Sequence, residues 1–250
     1  LRSNVAGGEA YDWTYPTPEA REAQRRVPIS DMHGEPWVWR AKDFRGWWSH
    51  SHHDRIDGVR QPVATDWVPQ SKPIWFTSIA CPAIDKGANQ PGHFLSQRAD
   101  AATLPHCSNG NRDDLMQMQY LRAFTGFYSD PDQNPYSSEY AGRMVDTARL
   151  HVWGWDPRPY PFWPGNRTRW PDGADYAHGT WLNGRMTNRS LASVVAEICE
   201  RSGVTSYDVS RLFGIVRGYT VSDTGTGRAA LQPLMLAYGF DAVEQDGQLI

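Results

Sequence analysis

Much that would hold a cross-linked or membrane-bound protein together is scarce in this sequence. Its 250 residues include only three cysteines, Cys81, Cys107 and Cys199. They are widely spaced, odd in number and never arranged as CxxC, so the expectation is reduced, mostly buried thiols and not a disulfide framework or a zinc ribbon. No run of eighteen apolar residues occurs, so no membrane span is expected. No signal-peptide pattern opens the chain. The formal net charge is -3, which makes no electrostatic case for nucleic acid as a partner. Neither a glycine-rich phosphate loop nor a GxSxG elbow is present, and no cofactor is expected. Leu1 is not a methionine, and Gly247-Gln248-Leu249-Ile250 stops in what reads as a strand. The expectation is a piece of a longer polypeptide.

Two residue types are missing from one part only. All twelve tryptophans lie between Trp13 and Trp181, and only Pro233 follows Pro171. An aromatic, loop-rich first part is thus followed by a helical, aliphatic last part. The polar stretch from Pro164 to Gly179 reads as a linker between them.

What is there reads as β/α units followed by a small α+β unit. Residues 7–16, 36–43, 72–80 and 149–156 are strand candidates, with Trp37 and Trp39 on one face of the second. Thr17 and Pro18 open a short helix as N-cap and first residue. Residues 111–128 read as a helix. Ser190 caps a helix whose Leu191, Val194, Val195 and Ile198 form one stripe, and Gly203 ends it. Thr226 caps another, ended by Gly239. Residues 240–244 alternate like a strand, with a hairpin turn over 245–247.

The stretch Lys72-Pro73-Ile74-Trp75-Phe76-Thr77-Ser78 anchors the first part. Nothing from Ile74 through Ile84 is charged. Such a run reads as a strand buried on both faces, with Thr77 and Ser78 at its C-terminal end. In a β/α barrel that end carries the chemistry. Residues 72–91, KPIWFTSIACPAIDKGANQP, resemble the glycoside-hydrolase-like TIM-barrel segment of the large tail-tip protein of gene transfer agents and related alphaproteobacterial tailed phages. The resemblance continues through Asn111-Arg112-Asp113-Asp114-Leu115, Gly142-Arg143-Met144-Val145-Asp146, Val152-Trp153-Gly154-Trp155-Asp156 and Trp181-Leu182-Asn183-Gly184-Arg185. A whole barrel takes about 250 residues. The resemblance therefore implies that residues 1–163 are the C-terminal half of a (β/α)8-like barrel, that 164–179 are a linker, and that 180–250 begin a phage tail-hub-like α+β domain.

In that family the position of Ser78 is usually a glutamate. Glycoside hydrolysis usually needs two carboxylates, one to protonate the leaving oxygen and one as nucleophile or base. A serine supplies neither, so the degenerate position points to an inactive barrel. Asp43, Asp85, Asp156 and Asp12, near expected strand ends, are the substitute acids for the rival reading, an active glycosidase acting on surface polysaccharide or peptidoglycan.

A third reading is a non-catalytic carbohydrate-binding barrel. Indole packs on the apolar face of a pyranose, and Trp47, Trp48, Trp75 and Trp155 are the candidates. Trp47-Trp48 is expected in a glycine- and charge-rich loop, where both cannot easily point inward. Trp37, Trp39, Trp67 and Trp153 are further candidates, set against a plain core role. His50-Ser51-His52-His53-Asp54 has the residue types of a metal site but no distant partner, so a solvated loop and no metal are expected. The resemblance implies a tail-tip (baseplate) component of the virion, in contact with other tail proteins and a host surface glycan, and usually trimeric.

Overall fold

The computed structural model describes residues 1–93, 104–183, 185 and 188–250, so Gly184 of the quoted motif lies outside the described residues. The chain folds as two compact units: Leu1–Ala80 with Gln119–Trp153, and Cys81–Met118 with Gly154–Ile250.

In the first unit, β1 (Trp13–Thr14) pairs antiparallel with β2 (Val27–Pro28), and between them lies α1 (Pro18–Glu22). Thr17 caps α1, its hydroxyl accepting from the Ala20 amide at 3.1 Å. After α2 (Phe44–Ser49) come β3 (His53–Ile56) and β4 (Val59–Ala64), an antiparallel hairpin. Asp57 and Gly58 turn it with positive φ at both positions, as a two-residue hairpin loop requires. Then β5 (Ile74–Ile79), the helix α3 (Asp114–Tyr128, of which Gln119 onward belongs to this unit) and β6 (Val145–Val152) follow in order, and β5 and β6 pair in parallel.

This β–α–β order matches the expected β/α unit. Among the described residues, however, the parallel sheet is that one pair, and no closed barrel forms. Of the other two expected strands, residues 7–16 contribute only Trp13–Thr14. Residues 36–43 form no strand: Pro36–Val38 make a 3₁₀ turn, and Asp43 caps α2. Pro36 suits the first position of such a turn, and Asp43 accepts the Gly46 amide at 2.8 Å. Trp37 and Trp39 therefore do not share a strand face.

Nor is β5 buried on both faces. Ile74 and Phe76 are partly buried, while Trp75, Thr77 and Ser78 are exposed. The fourth strand begins four residues earlier than expected and ends before Trp153. The core of this unit gathers Trp48, Phe127, Tyr128, Met144 and Val145, with Phe44, Ile74, Phe76 and Phe124 packed on it. Phe76 meets Phe44 and Phe124 edge to face at 5.0 and 4.7 Å. Asn134 is fully buried and clips the end of α3 to β6. Its amide donates to the Tyr128 and Val145 carbonyls, and its oxygen accepts the Val145 N–H.

The second unit contains α4 (Phe162–Gly165), β7 (Arg189–Ser190), α5 (Leu191–Arg201), β8 (Ile215–Val216), α6 (Gly227–Tyr238), β9 (Glu244–Gln245) and β10 (Gln248–Leu249). Its helix ends follow the sequence signals. Ser190 and Thr226 accept from the Ser193 and Ala229 amides, and Gly239 closes α6 in the left-handed conformation. Leu191, Val195, Ile198 and Cys199 of α5 pack with Val216, Leu231 and Leu234. The β9–β10 hairpin turns on Asp246 and Gly247, both with positive φ, although the expected strand over 240–244 is reduced to its last residue. Trp163, Gly173, Asp175 and Tyr176 are buried within residues 163–176. Cys81 and Cys199 are buried free thiols, and Cys107 is exposed.

Candidate functional site

The C-terminal end of β5 presents Thr77 and Ser78 to solvent. Among the described residues, no imidazole or carboxylate hydrogen-bonds to the Ser78 hydroxyl, so nothing there activates it as a nucleophile. On the same strand Trp75 is 52% exposed, and the Arg149 guanidinium of β6 stacks on its indole at 4.4 Å.

The substitute acids are engaged elsewhere. Asp43 is buried as the α2 cap and faces Arg40 at 3.6 Å. Asp12 accepts the Gly8 amide at 2.7 Å. Asp85 accepts the Asn109 amide, with Lys86 beside it, and both contacts lower its pKa. Asp156 is gripped by the Arg158 guanidinium and also accepts from the Trp181 indole at 3.1 Å. The arginine hydrogen bonds hold its carboxyl below the usual carboxylate range against the opposing effect of burial. A general acid for glycoside cleavage needs the opposite shift.

The sequence reading missed two sites where carboxylates come together on an arginine. In the second unit, Arg158 spans Asp156 and Asp172. In the first, Arg55 bridges Asp31 at 2.9 Å and Glu35 at 3.0 Å, and Arg60 takes Glu35 in a fork. The oxygens of Asp31 and Glu35 thus lie within one guanidinium's reach, close enough for a catalytic pair by separation alone. Their ionisation argues otherwise. Hydrogen bonds from Arg60, opposed by burial and reinforced by Arg55, hold the Glu35 carboxyl at about 2. Burial raises Asp31, but amide donation from Glu35 and His33 outweighs it and the net shift is downward. Neither carries a proton near neutral pH. No local pattern flagged this pair, because Arg55 and Arg60 reach it only through the β3–β4 hairpin.

The clamp has a measurable consequence. A carboxyl with a depressed folded-state pKa stabilises the fold above its unfolded pKa, and that stabilisation is lost as pH falls towards the folded value. Wild-type protein should therefore lose stability between about pH 5 and pH 2 more steeply than Glu35→Gln, which should be weaker at pH 7. Urea midpoints measured across that range check this, and parallel pH curves for the two proteins would refute the clamp.

The tryptophans divide. Trp48 is 1% exposed, and its indole N–H donates to the Lys72 carbonyl at 2.8 Å. The expectation of a loop there is corrected: Trp47 and Trp48 lie on α2, where neighbours point about 100° apart. Trp47 is 43% exposed and rests against Trp67 and His52. Trp155 of the second unit is 74% exposed. Each histidine of the cluster bonds one ring nitrogen to a separate backbone carbonyl, His50 to Gly46, His52 to Trp47 and His53 to Gln61.

A parallel strand pair joined through a helix, with β/α order, defines a mixed α/β protein. A family model described as the GTA TIM-barrel-like domain matches residues 1–164. The chain belongs to that family of gene transfer agent domains. A chain from the virion of a native gene transfer agent particle is 52% identical, the match covering 37% of this chain and 22% of that one, with a TM-score of 0.29. The match thus spans less than a quarter of that virion chain. No curated protein matches it. No helix among the described residues is long and apolar enough to cross a membrane.

Proposed function

We propose that the chain is a structural part of the tail tip (baseplate) of a gene transfer agent virion, acting in tail assembly and in host attachment or cell-wall passage. In this reading residues 1–163 are the C-terminal half of a (β/α)8-like barrel that has lost glycosidase activity. Residues 164–179 link it to a tail-hub-like domain that begins at 180, and the assembly is a trimer around the tail axis. The observation that carries the reading is Ser78. In a family whose resemblance puts a glutamate there, the position holds a hydroxyl with no base on it, and losing a catalytic carboxylate costs several orders of magnitude in rate.

Two measurements test this. Antibody labelling of purified particles should mark the distal end of the tail; label on the capsid, or no label, would remove the assignment. Purified protein should release no reducing sugar from host capsule or peptidoglycan. Ser78→Glu should release none either, since a restored carboxylate still lacks a protonated partner. Release by the wild type would instead favour the active hydrolase.

The exposed Trp47, Trp75 and Trp155 favour a second, compatible reading, that the barrel binds host surface glycan without cutting it.

A further inference from the structure

We propose that the outer face of the β3–β4 hairpin is a docking surface for another protein of the virion, one that presents an apolar centre ringed by lysine or arginine. The hairpin is built inside out: its charged side faces the protein and its apolar side faces solvent. Arg55 and Arg60 are register partners, and both turn inward to the carboxylates of Asp31 and Glu35. The Asp31 side chain is wholly buried. Successive residues of a strand point to opposite faces, so the next register pair, Ile56 and Val59, points outward. These two are 60% and 64% exposed, and Val63, further along β4, is 77% exposed.

A hairpin on a protein surface ordinarily buries its apolar side and offers its polar side to water. Turning this one over would cover Ile56 and Val59. It would also leave Asp31 and Glu35 in the interior without a counter-charge, and breaking a buried pair in that way is strongly destabilising. The ion-pair clamp therefore fixes the hairpin with its β-branched residues outward. Single apolar side chains scattered over a surface need no explanation, but an apolar face held outward by buried charge does.

The mode of contact and the charge of the partner follow. Pro62 lies in β4 and has no N–H to give, which makes that edge a poor template for an added strand. Contact is through the face. Asp54 and Asp57 are exposed on either side of Ile56, and among the described residues neither is ion-paired. The two arginines of the hairpin are already engaged inward. The rim is thus acidic and complements a basic partner. Two copies of this face meeting about a two-fold axis would set like charges against each other, so a second copy is the poorer fit.

This surface deepens the tail-assembly reading above and rests on it for the particle concerned. The test places p-benzoylphenylalanine at position 59 of the chain in assembled particles, which are irradiated and analysed by mass spectrometry of the cross-linked peptides. A cross-link to a different virion protein, at a stretch carrying lysine or arginine, is expected. A cross-link to a second copy or to this polypeptide itself, one at a stretch without a basic residue, or none, overturns the proposal. Val59→Asp should lower the amount of that partner retained on purified particles about tenfold or more, and Asp54→Lys about threefold or more. Both side chains are exposed, so the isolated variants should melt within about 2 °C of wild type. If Val59→Asp fails to fold, Ile56→Thr, which keeps a β-branched residue, takes its place. Wild-type retention in the apolar and the acidic variant alike also overturns the surface. The two proposals fail separately. The expected cross-link with antibody label on the capsid leaves the docking surface and removes the tail-tip assignment; label at the distal tail with no cross-link does the reverse.

Discussion

Gly154→Ala should be the most damaging single-methyl change in the second unit. A Cβ built at Gly154 would sit 2.0 Å from the Thr180 carbonyl oxygen and 2.9 Å from its carbon. Both atoms are backbone, so no side chain can swing aside. The residue also has φ +118, a conformation nearly closed to any residue with a Cβ. The Gly154 carbonyl accepts the Leu182 amide at 2.8 Å, so moving Gly154 to relieve the clash breaks that bond too. The expected loss is about 4 kcal/mol or more, a large share of the roughly 5–15 kcal/mol that holds a domain folded. In a thermal melt that is a fall of about 8 °C or more. Gly165→Ala is the control, because an added Cβ there meets nothing within 4 Å. It should change stability by about 0.5 kcal/mol or less. Equal melting points for the two variants would show that the close approach at Thr180 relaxes at no cost.

The second large effect separates two adjacent residues. Trp48→Ala should cost the first unit about 3–5 kcal/mol, the usual loss for emptying a buried aromatic site. It also strands the Lys72 carbonyl that the indole N–H satisfies. Trp47→Ala should cost about 1 kcal/mol or less, since its ring is half in solvent and packs mainly on Trp67 and His52. Hydrogen exchange reads this locally: Trp48→Ala should expose the Ile74 and Val145 amides, which bond to Met144 O and Asn134 Oδ1. Similar exchange at those amides in both variants would mean that Trp48 is not the centre of that core. With two units in the chain, a single global midpoint is a poor substitute for the local reading.

The same pair explains where sequence reading stopped. A WW dipeptide beside Gly46 and charged residues looks like a loop, because short helices give too little periodicity to register. Once Asp43 caps α2, the 100° step sends one indole into the core and leaves the other at the surface. Pro36 misled in a similar way: Trp37 and Trp39 alternate like a strand, but alternation over so few residues fits a turn as well. Gly154 sits inside VWGWD, which reads as continuous strand, yet the strand has ended at Val152. What needs a glycine there is the Thr180 backbone, twenty-six positions away.

The sequence by itself determined the features decided within a few residues. These are the caps at Thr17, Ser190 and Thr226, the left-handed stop at Gly239, the Asp246-Gly247 turn and the existence of β5. It also carried the family, because motifs from residue 72 to residue 156 survive in linear order. Each of these depends on a side chain reaching its own backbone or on residue identity alone. Tertiary structure alone decided which strands pair, which tryptophan is buried, and that Arg55 and Arg158 each bring two carboxylates together. It also decided that Trp37, Arg40 and Trp47 line one cavity. Those outcomes depend on burial and on charges brought together by the fold, and a linear chain carries neither.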